Sequence, residues 1–258
     1  ILLGIVVVFN GVLYTETISS SSTSQSTADA EMIERNLERS LVEIARQGNE
    51  NGNWTSSNTF EDAVMDSGEF NDQYQNVAAN SRSAFVNVSN VTAKEGYIET
   101  GDPSGVVNIK HNEVQHLVLN LDADSVDTLT IYANSTDDNS TNVTIDFYNN
   151  YFEVDGCEIN TTNERFDLVN GTTDNPTVVG CDSDELQNDL SIINDSKKYE
   201  EVEFDGDSDL GTYEVVTSGH NPDGSYDIWE IEANITYQSN QVSYKRRIST
   251  IVIDGDNE

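Results

Sequence analysis

The chain has 258 residues, enough for one large or two modest domains, and its 47 Asp and Glu against 12 Lys and Arg give a net charge of −35 at pH 7. A charge of this sign excludes nucleic acid as a natural partner, because the phosphate backbone would be repelled. It also disfavours docking on an anionic lipid surface.

Two explanations account for so acidic a chain. Low hydrophobicity with high net charge is typical of disorder, but eleven Tyr, eight Phe, two Trp and clear alternating stretches indicate a folded core. The other explanation is concentrated salt, since in molar salt the Debye length falls to roughly 3 Å and self-repulsion becomes tolerable. Abundant Asp with only five Lys resembles proteins of halophilic archaea. We therefore expect a folded protein adapted to high salt.

The first fourteen residues, from Ile1 to Tyr14, carry no charge, and Asn10 is their only strongly polar side chain. The run is shorter than the about 20 residues of a comfortable bilayer span. We expect either that a leader has been removed or that further apolar residues precede Ile1. An uncharged run in so polar a chain implies a second apolar environment, which is lipid or other copies of the segment.

A helical pattern follows this run, because no Gly or Pro occurs between Gly11 and Gly48. Small and apolar residues recur three and four positions apart, which is one face of a helix: Ser26, Ala30, Ile33, Leu37, Leu41 and Ile44. One interpretation is a single helix of about 45 residues that ends at Gly48. The other is a flexible hydroxyl-rich linker over 19–27, with Ser26 or Thr27 capping a separate helix. We prefer the continuous helix, which would need neighbours to cover it.

The order of these segments resembles that of haloarchaeal type IV pilin-like proteins. The resemblance lies in the uncharged run Ile1–Tyr14, the sequence Thr15-Glu16-Thr17-Ile18, an amphipathic helix to Gln47 and an acidic, β-rich remainder. It implies that a processed N-terminal helix packs in the core of an extracellular filament while the C-terminal domain faces outward.

From Ala84 onward the hydrophobic period changes to two, which predicts strands separated by Asp, Asn and Gly clusters. The segments are 84–88, 106–109, 117–121, 129–132, 143–147, 151–154, 213–216, 226–237 and 242–253. Asn221-Pro-Asp-Gly224 is a turn signal and predicts a hairpin between two of them. The segment 60–79 is read as a short helix interrupted by Gly68, and 181–196 as a loop or short helix.

The predicted fold class is therefore α+β, a long N-terminal α-helix followed by an antiparallel sandwich- or barrel-like domain. The predicted segments are an assembly helix at 1–48, a connection at 49–83 and an acidic outer β domain at 84–258.

Two modifications are expected outside the cell. A disulfide between Cys157 and Cys181 is favoured over two free thiols in an extracellular setting. Asn-x-Ser/Thr sequons make N-linked glycans expected at some of ten positions: Asn53, Asn87, Asn90, Asn134, Asn139, Asn142, Asn160, Asn170, Asn194 and Asn234.

No catalytic constellation stands out, and we expect neither enzyme activity nor a cofactor. His111, His116 and His220 lie apart from both cysteines, so no metal site is predicted from them. Asp205-Gly-Asp-Ser-Asp209 resembles the start of a calcium loop, but Val216 stands where an EF-hand has Glu. A looser calcium site or a solvated acidic run remains open.

We predict a homopolymer subunit of a cell-surface filament, inserted in the membrane before assembly and serving adhesion. The residues assigned to contacts between copies are apolar or aromatic: Ile1, Leu2, Leu3, Ile5, Val6, Val7, Val8, Phe9, Val12, Leu13, Tyr14, Ile18, Ile33, Leu37, Leu41 and Ile44. The alternative is a membrane-anchored monomer whose β domain binds a ligand or glycan. Asn10 and Glu16 favour the filament, because such side chains are costly in lipid but can be paired between helices.

Overall fold

A computed structural model describes residues 24–65, 70–72, 75–76, 84–137, 140–174, 178–194, 197–239 and 243–252. Within these ranges lie helices α1 (Ser24–Glu50), α2 (Ser57–Met65) and α3 (Ser183–Leu190). The strands are β1 (Phe85–Gly101), β2 (Gly105–Asp122), β3 (Asp127–Ser135), β4 (Ser140–Tyr148), β5 (Tyr151–Val154), β6 (Cys157–Ile159), β7 (Asn163–Asp167), β8 (Thr172–Thr173), β9 (Val178–Val179), β10 (Lys198–Asp205), β11 (Gly211–Thr217), β12 (Asp227–Gln238) and β13 (Ser243–Ile251).

The predicted α+β class with a long N-terminal helix is wrong. The structure is mostly antiparallel β-sheet, with 52% strand against 22% helix. Helix α1 has 27 residues and begins at Ser24, and residues 1–23 lie outside the described part. The prediction gave most weight to the run without Gly or Pro, whereas the alternating apolar residues beyond Ala84 make most of the fold antiparallel sheet. The upstream part of the predicted helix lies outside the described residues.

The described residues divide into two compact units, which contain different parts of the sequence. Unit 1 runs up to Glu95 and resumes at Pro222, and unit 2 is the continuous segment Gly96–Asn221. The boundary falls inside β1, whereas the sequence placed 84–258 in one domain.

Unit 1 is a helix on a small sheet. Its strands follow the order β13, β12, β1, and α1 packs on β12 and β13. The strands bury alternate residues because successive side chains point to opposite faces. The inner face of β12 contributes Ile231, Ala233, Ile235 and Tyr237 to the core.

Helix α1 ends at Glu50 rather than at the predicted Gly48. Gly48 instead permits close approach, since a Cβ there would lie 2.0 Å from Cε2 of Trp54. The Trp54 indole donates to the carbonyl of Ala45 at 3.1 Å and meets Phe60 of α2 edge to face, with ring centroids 5.5 Å apart. The absence of a side chain at Gly48 therefore lets the Trp54 ring pack directly against the helix backbone.

Unit 2 is organised around β2, which has 18 residues. Its first half pairs with β10, and its second half pairs with β11 and β7. From β10 the sheet continues through β3, β4, β5 and β6 to β9. The described strand pairs of unit 2 are antiparallel, from the β1–β11 pair to the β7–β8 pair.

One apolar core holds unit 2 together. Phe152 of β5 contacts Phe147 of β4 and Phe166 of β7 edge to face, at centroid distances of 5.2 and 5.4 Å. Because β7 pairs with β2 while β5 pairs with β4, these rings join distant parts of the sheet order. Leu186 and Leu190 of α3 are buried in the same core.

The alternating segments overlap strands among the described residues, but two details differ from expectation. The segments 106–109 and 117–121 belong to one strand, β2, in which Lys110 and His111 have positive φ angles of 58° and 62°. The hairpin predicted at 221–224 is absent in the described pairing, since β11 pairs with β1 and β2 while β12 pairs with β13 and β1. The turn signal marks the passage from unit 2 back into unit 1.

Candidate functional site

The first candidate site is the surface on which unit 1 holds α1. Ile33, Leu37, Leu41 and Ala45 recur every four residues and are at most 2% exposed. They share one core with Ile235 and Ile248 of the sheet. Burial of each of the three larger side chains, Ile33, Leu37 and Leu41, is worth roughly 1.5–3 kcal/mol, so this face fixes α1 to its own sheet.

A buried carboxylate adds a polar clamp between α1 and β13. Glu34 is 9% exposed. Its Oε1 lies 2.8 Å from Nη1 of Arg246, and its Oε2 accepts from the Tyr244 hydroxyl at 3.3 Å. Burial, together with the neighbouring Glu34 carboxylate and its hydrogen bond, raises the pKa of Tyr244 to about 12, while Arg246 opposes that rise.

The C-terminal end of α1 is attached to β12 by hydrogen bonds between one side chain of the helix and the backbone of the strand. The Asn49 side chain donates to the carbonyl of Ile228 at 2.9 Å and accepts from the amide of Ile228 at 2.8 Å. This two-bond contact copies a strand pairing and satisfies both backbone groups. The helix is therefore held at its end as well as along its face.

The predicted contact residues divide between two situations. Ile33, Leu37 and Leu41 lie in the core of unit 1, and Ile44 packs partly buried against it. Their burial is thus accounted for within one copy of the chain. The remaining predicted contact residues, Ile1 through Ile18, lie outside the described residues, as do the side chains of Ser26 and Ala30.

A second candidate is the basic edge strand β13. It ends the described sheet order, so β12 is its only strand neighbour among the described strands. It carries Lys245, Arg246 and Arg247, three of the twelve Lys and Arg in the chain. The Arg246 and Arg247 side chains are 65% and 69% exposed.

A third candidate is a polar cleft of about 710 Å³ in unit 2. It is bounded by β4, by the end of β5 and the turn after it, and by the end of α3. Its carboxylates are those of Asp146, Glu153, Asp155 and Asp189. Loss of solvation, with the nearby Asp155 and Glu185 carboxylates, raises the pKa of Asp189.

One wall of the cleft is a strand edge. Strand β4 pairs with β3 over Ser140–Phe147, but its pairing with β5 covers only Ile145–Tyr148. Residues 140–144 therefore face no described strand on the β5 side. The Thr141 hydroxyl donates to the carbonyl of Ile192 at 2.8 Å and holds the segment after α3 beside this edge.

Cys157 and Cys181 are joined by a disulfide. Cys157 begins β6 and Cys181 follows β9, and these two strands pair. The bridge therefore closes a 24-residue separation at the end of the unit 2 sheet.

The sequons differ in accessibility. Six asparagines are exposed: Asn53, Asn90, Asn142, Asn160, Asn170 and Asn194. Asn87, Asn134 and Asn234 are half-buried, and Asn139 lies outside the described residues. Asn134 donates to Glu201 and Asn170 to Asp167 through the amide nitrogen that a glycan would occupy.

The three histidines remain dispersed. His116 is 5% exposed and its Nε2 lies 3.9 Å from Oε2 of Glu214, whereas His111 and His220 are exposed. The acidic run Asp205–Asp209 begins at the last residue of β10 and continues into the connection to β11, and its three carboxylates are exposed. Among the described residues, no group of three or more His, Cys, Asp or Glu is arranged to hold a metal ion.

The sequence does not reveal the Glu34 clamp, because the partner Arg246 lies far away in the chain. The available signal was the run of three consecutive cations at 245–247 in a chain with few of them. In an acidic chain, such a run indicates a place where a carboxylate such as Glu34 can find a cationic partner.

Within the described part of the chain, no helix combines the length and apolar character needed to cross a membrane. No protein-family model matches the chain, and neither curated proteins nor solved structures yield a match.

Proposed function

We propose that this chain is the structural subunit of an extracellular helical filament of the archaeal type IV pilus kind. It polymerises through the uncharged run at its beginning and displays an acidic, glycosylated β surface that serves adhesion. Identical subunits are its partners, and the membrane holds it before assembly.

The attachment of α1 to unit 1 is the observation that carries the proposal. The apolar face from Ile33 to Ala45 is used within one copy, and Glu34 is clamped by Arg246 and Tyr244. The helix is thus a fixed stem of the folded unit. The uncharged sequence Ile1–Tyr14, directly upstream, supplies apolar side chains for contact with other copies.

Because the α1 face is buried within one copy, fewer residues are expected to contact other copies. The sequence assigned everything up to about residue 47 to the helix bundle, whereas the proposal assigns that contact to residues 1–18. A repeated heterologous contact that does not close generates a helical polymer.

The charge of the chain sets the conditions for such a polymer. Copies that each carry −35 repel one another, and the repulsion between exposed charges is screened beyond roughly 3 Å in molar salt. Filaments are therefore expected to be stable in concentrated salt and to dissociate on dilution.

Electron microscopy of sheared, detergent-free cell-surface material tests the proposal. Cells that express the wild-type chain should release filaments that contain it. Val7→Asp should abolish them, because a carboxylate would enter the apolar contact, whereas the matched change Ser21→Asp in the hydroxyl-rich segment should not. Wild-type protein recovered only as dispersed molecules in the membrane fraction would overturn the filament and favour the anchored, ligand-binding alternative.

A further inference from the structure

Strand β13 presents its cations on an open edge and an outward face. In the β12–β13 register, Lys245 and Arg247 pair with Thr236 and Asn234, on the face opposite to Ile248. Their side chains are therefore about 7 Å apart along the strand. Arg247 contacts Glu232, and Lys245 is exposed.

Arg246 is excluded from this outward face. It alternates with its neighbours and points toward α1, where it pairs with Glu34 at 2.8 Å. Arg246 is thus committed to a buried carboxylate on the inner face, whereas Lys245 is exposed and Arg247 meets only the partly exposed Glu232, so these two are the cations that the outward face presents.

The cleft of unit 2 offers the complementary features. Its wall includes the stretch of β4 that faces no described strand, and its carboxylates include Glu153 and Asp189. The surroundings are also the more acidic: the unit 2 sequence holds 27 Asp and Glu against 4 Lys and Arg, whereas the unit 1 sequence holds 20 against 8.

We propose that the β13 edge of one copy docks in the unit 2 cleft of a second copy, with Lys245 and Arg247 facing Glu153 and Asp189. Two such acidic chains meet with least repulsion where one of them carries cations. The two surfaces differ, so the contact is heterologous and can repeat along a polymer. This inference rests on the proposed filament and adds a second contact, between outer surfaces, to the one made by residues 1–18.

Charges on an edge strand also have a purely protective use, since they discourage pairing with other sheets. That explanation makes a different prediction. Replacing cations with carboxylates would protect the edge equally well and would leave assembly unchanged.

A charge-swap experiment separates the two explanations. The variants are Lys245→Glu with Arg247→Glu, Glu153→Lys with Asp189→Lys, and all four substitutions together. Lys110→Glu with Lys198→Glu is the matched control for the β13 variant, because it makes the same change in net charge elsewhere. Polymer is measured by sedimentation and electron microscopy at the lowest salt that keeps the wild type folded, and folding is checked by circular dichroism.

Each double variant should lower the polymerised fraction by about tenfold or more, and the fourfold variant should recover most of it, because the swapped pairs attract again. The control should polymerise like the wild type. Double variants that match the control, or a folded fourfold variant that is not rescued, would overturn the docking.

Cross-linking of wild-type filaments gives a second measurement that does not depend on the variants folding. A zero-length carbodiimide reagent should join Lys245 of one copy to Glu153 or Asp189 of another. Abundant cross-links between copies that omit these positions would contradict the inference. A wild type that forms no filaments would instead count against the proposed function.

Discussion

The two units reach stability by different means. Unit 1 gathers residues from both parts of the chain around a helix, and its core depends on α1 lying against β12 and β13. Unit 2 is one continuous segment, built mainly of strands with the short helix α3, and a disulfide joins its β6–β9 end. Unit 1 carries a net charge of −12 by sequence and unit 2 carries −23. The difference indicates that unit 1 holds the stem while unit 2 presents charge to solvent.

The largest expected effect tests the role of α1 in unit 1. Leu37→Ala should lower the free energy of unfolding by about 3 kcal/mol, because Leu37 is 0% exposed and its truncation leaves a cavity. Both tryptophans, Trp54 and Trp229, belong to unit 1. Denaturant unfolding followed by tryptophan fluorescence at constant salt therefore reports on this unit.

The matched control for that variant is Arg35→Ala on an exposed face of the same helix. It should shift the free energy by less than about 0.5 kcal/mol. Equal effects of the two substitutions would show that α1 does not depend on this face for its attachment.

Loss of the disulfide should weaken unit 2 specifically. Cys157→Ser with Cys181→Ser should cost about 3 kcal/mol, because the open loop regains its conformational entropy in the unfolded chain. Hydrogen exchange should show weaker protection of the β5 and β6 amides. The tryptophan transition of unit 1 should keep its midpoint, and a matching loss there would show that the two units unfold together.

A smaller effect is expected at the start of α3. Asp182 accepts from the amides of Asp184 and Glu185 at 3.0 and 2.9 Å and so caps the helix. Asp182→Ala should cost about 1 kcal/mol, whereas Asp182→Asn keeps an acceptor and should cost less. Hydrogen exchange within α3 measures both, and equal losses would contradict the capping role.

The last effect, a change of stability that appears only at alkaline pH, concerns Tyr244. Its pKa is raised to about 12 in the folded protein, so the unfolded chain releases this proton first as the pH rises. The stability that this tyrosine contributes should be intact below about pH 10 and should decline from there to about pH 12. Tyr244→Phe should remove that part of the decline, as measured by unfolding at a series of pH values with tyrosinate absorbance.

The positions of the strands were the part of the fold that the sequence predicted most readily. Strands β3, β4 and β12 bury alternate residues almost without interruption, which is the pattern that the alternation of their apolar residues expresses. Strand β10 was missed for a physical reason. Its register shifts between Tyr199 and Glu201, so the spacing of its buried Tyr199 and Val202 is three rather than two.

The sequence alone could not predict which strands pair when they lie far apart in the chain. A turn at 221–224 can be identified from its residues, but the partners of β11 and β12 depend on β1, which lies far away in the chain. The same limit applies to the candidate site. The partner of Glu34 is 212 positions further on, at Arg246, and no local pattern reveals such a contact.

The division of unit 1 between two parts of the chain has a consequence for biosynthesis. The strands that cover Ile33, Leu37 and Leu41 include β12 and β13, which are translated only after the whole of unit 2. Until then the apolar face of α1 has neither β12 nor β13 to cover it. A truncated product that lacks β13 should therefore keep part of this apolar face exposed and be cleaved faster by proteases than the full chain.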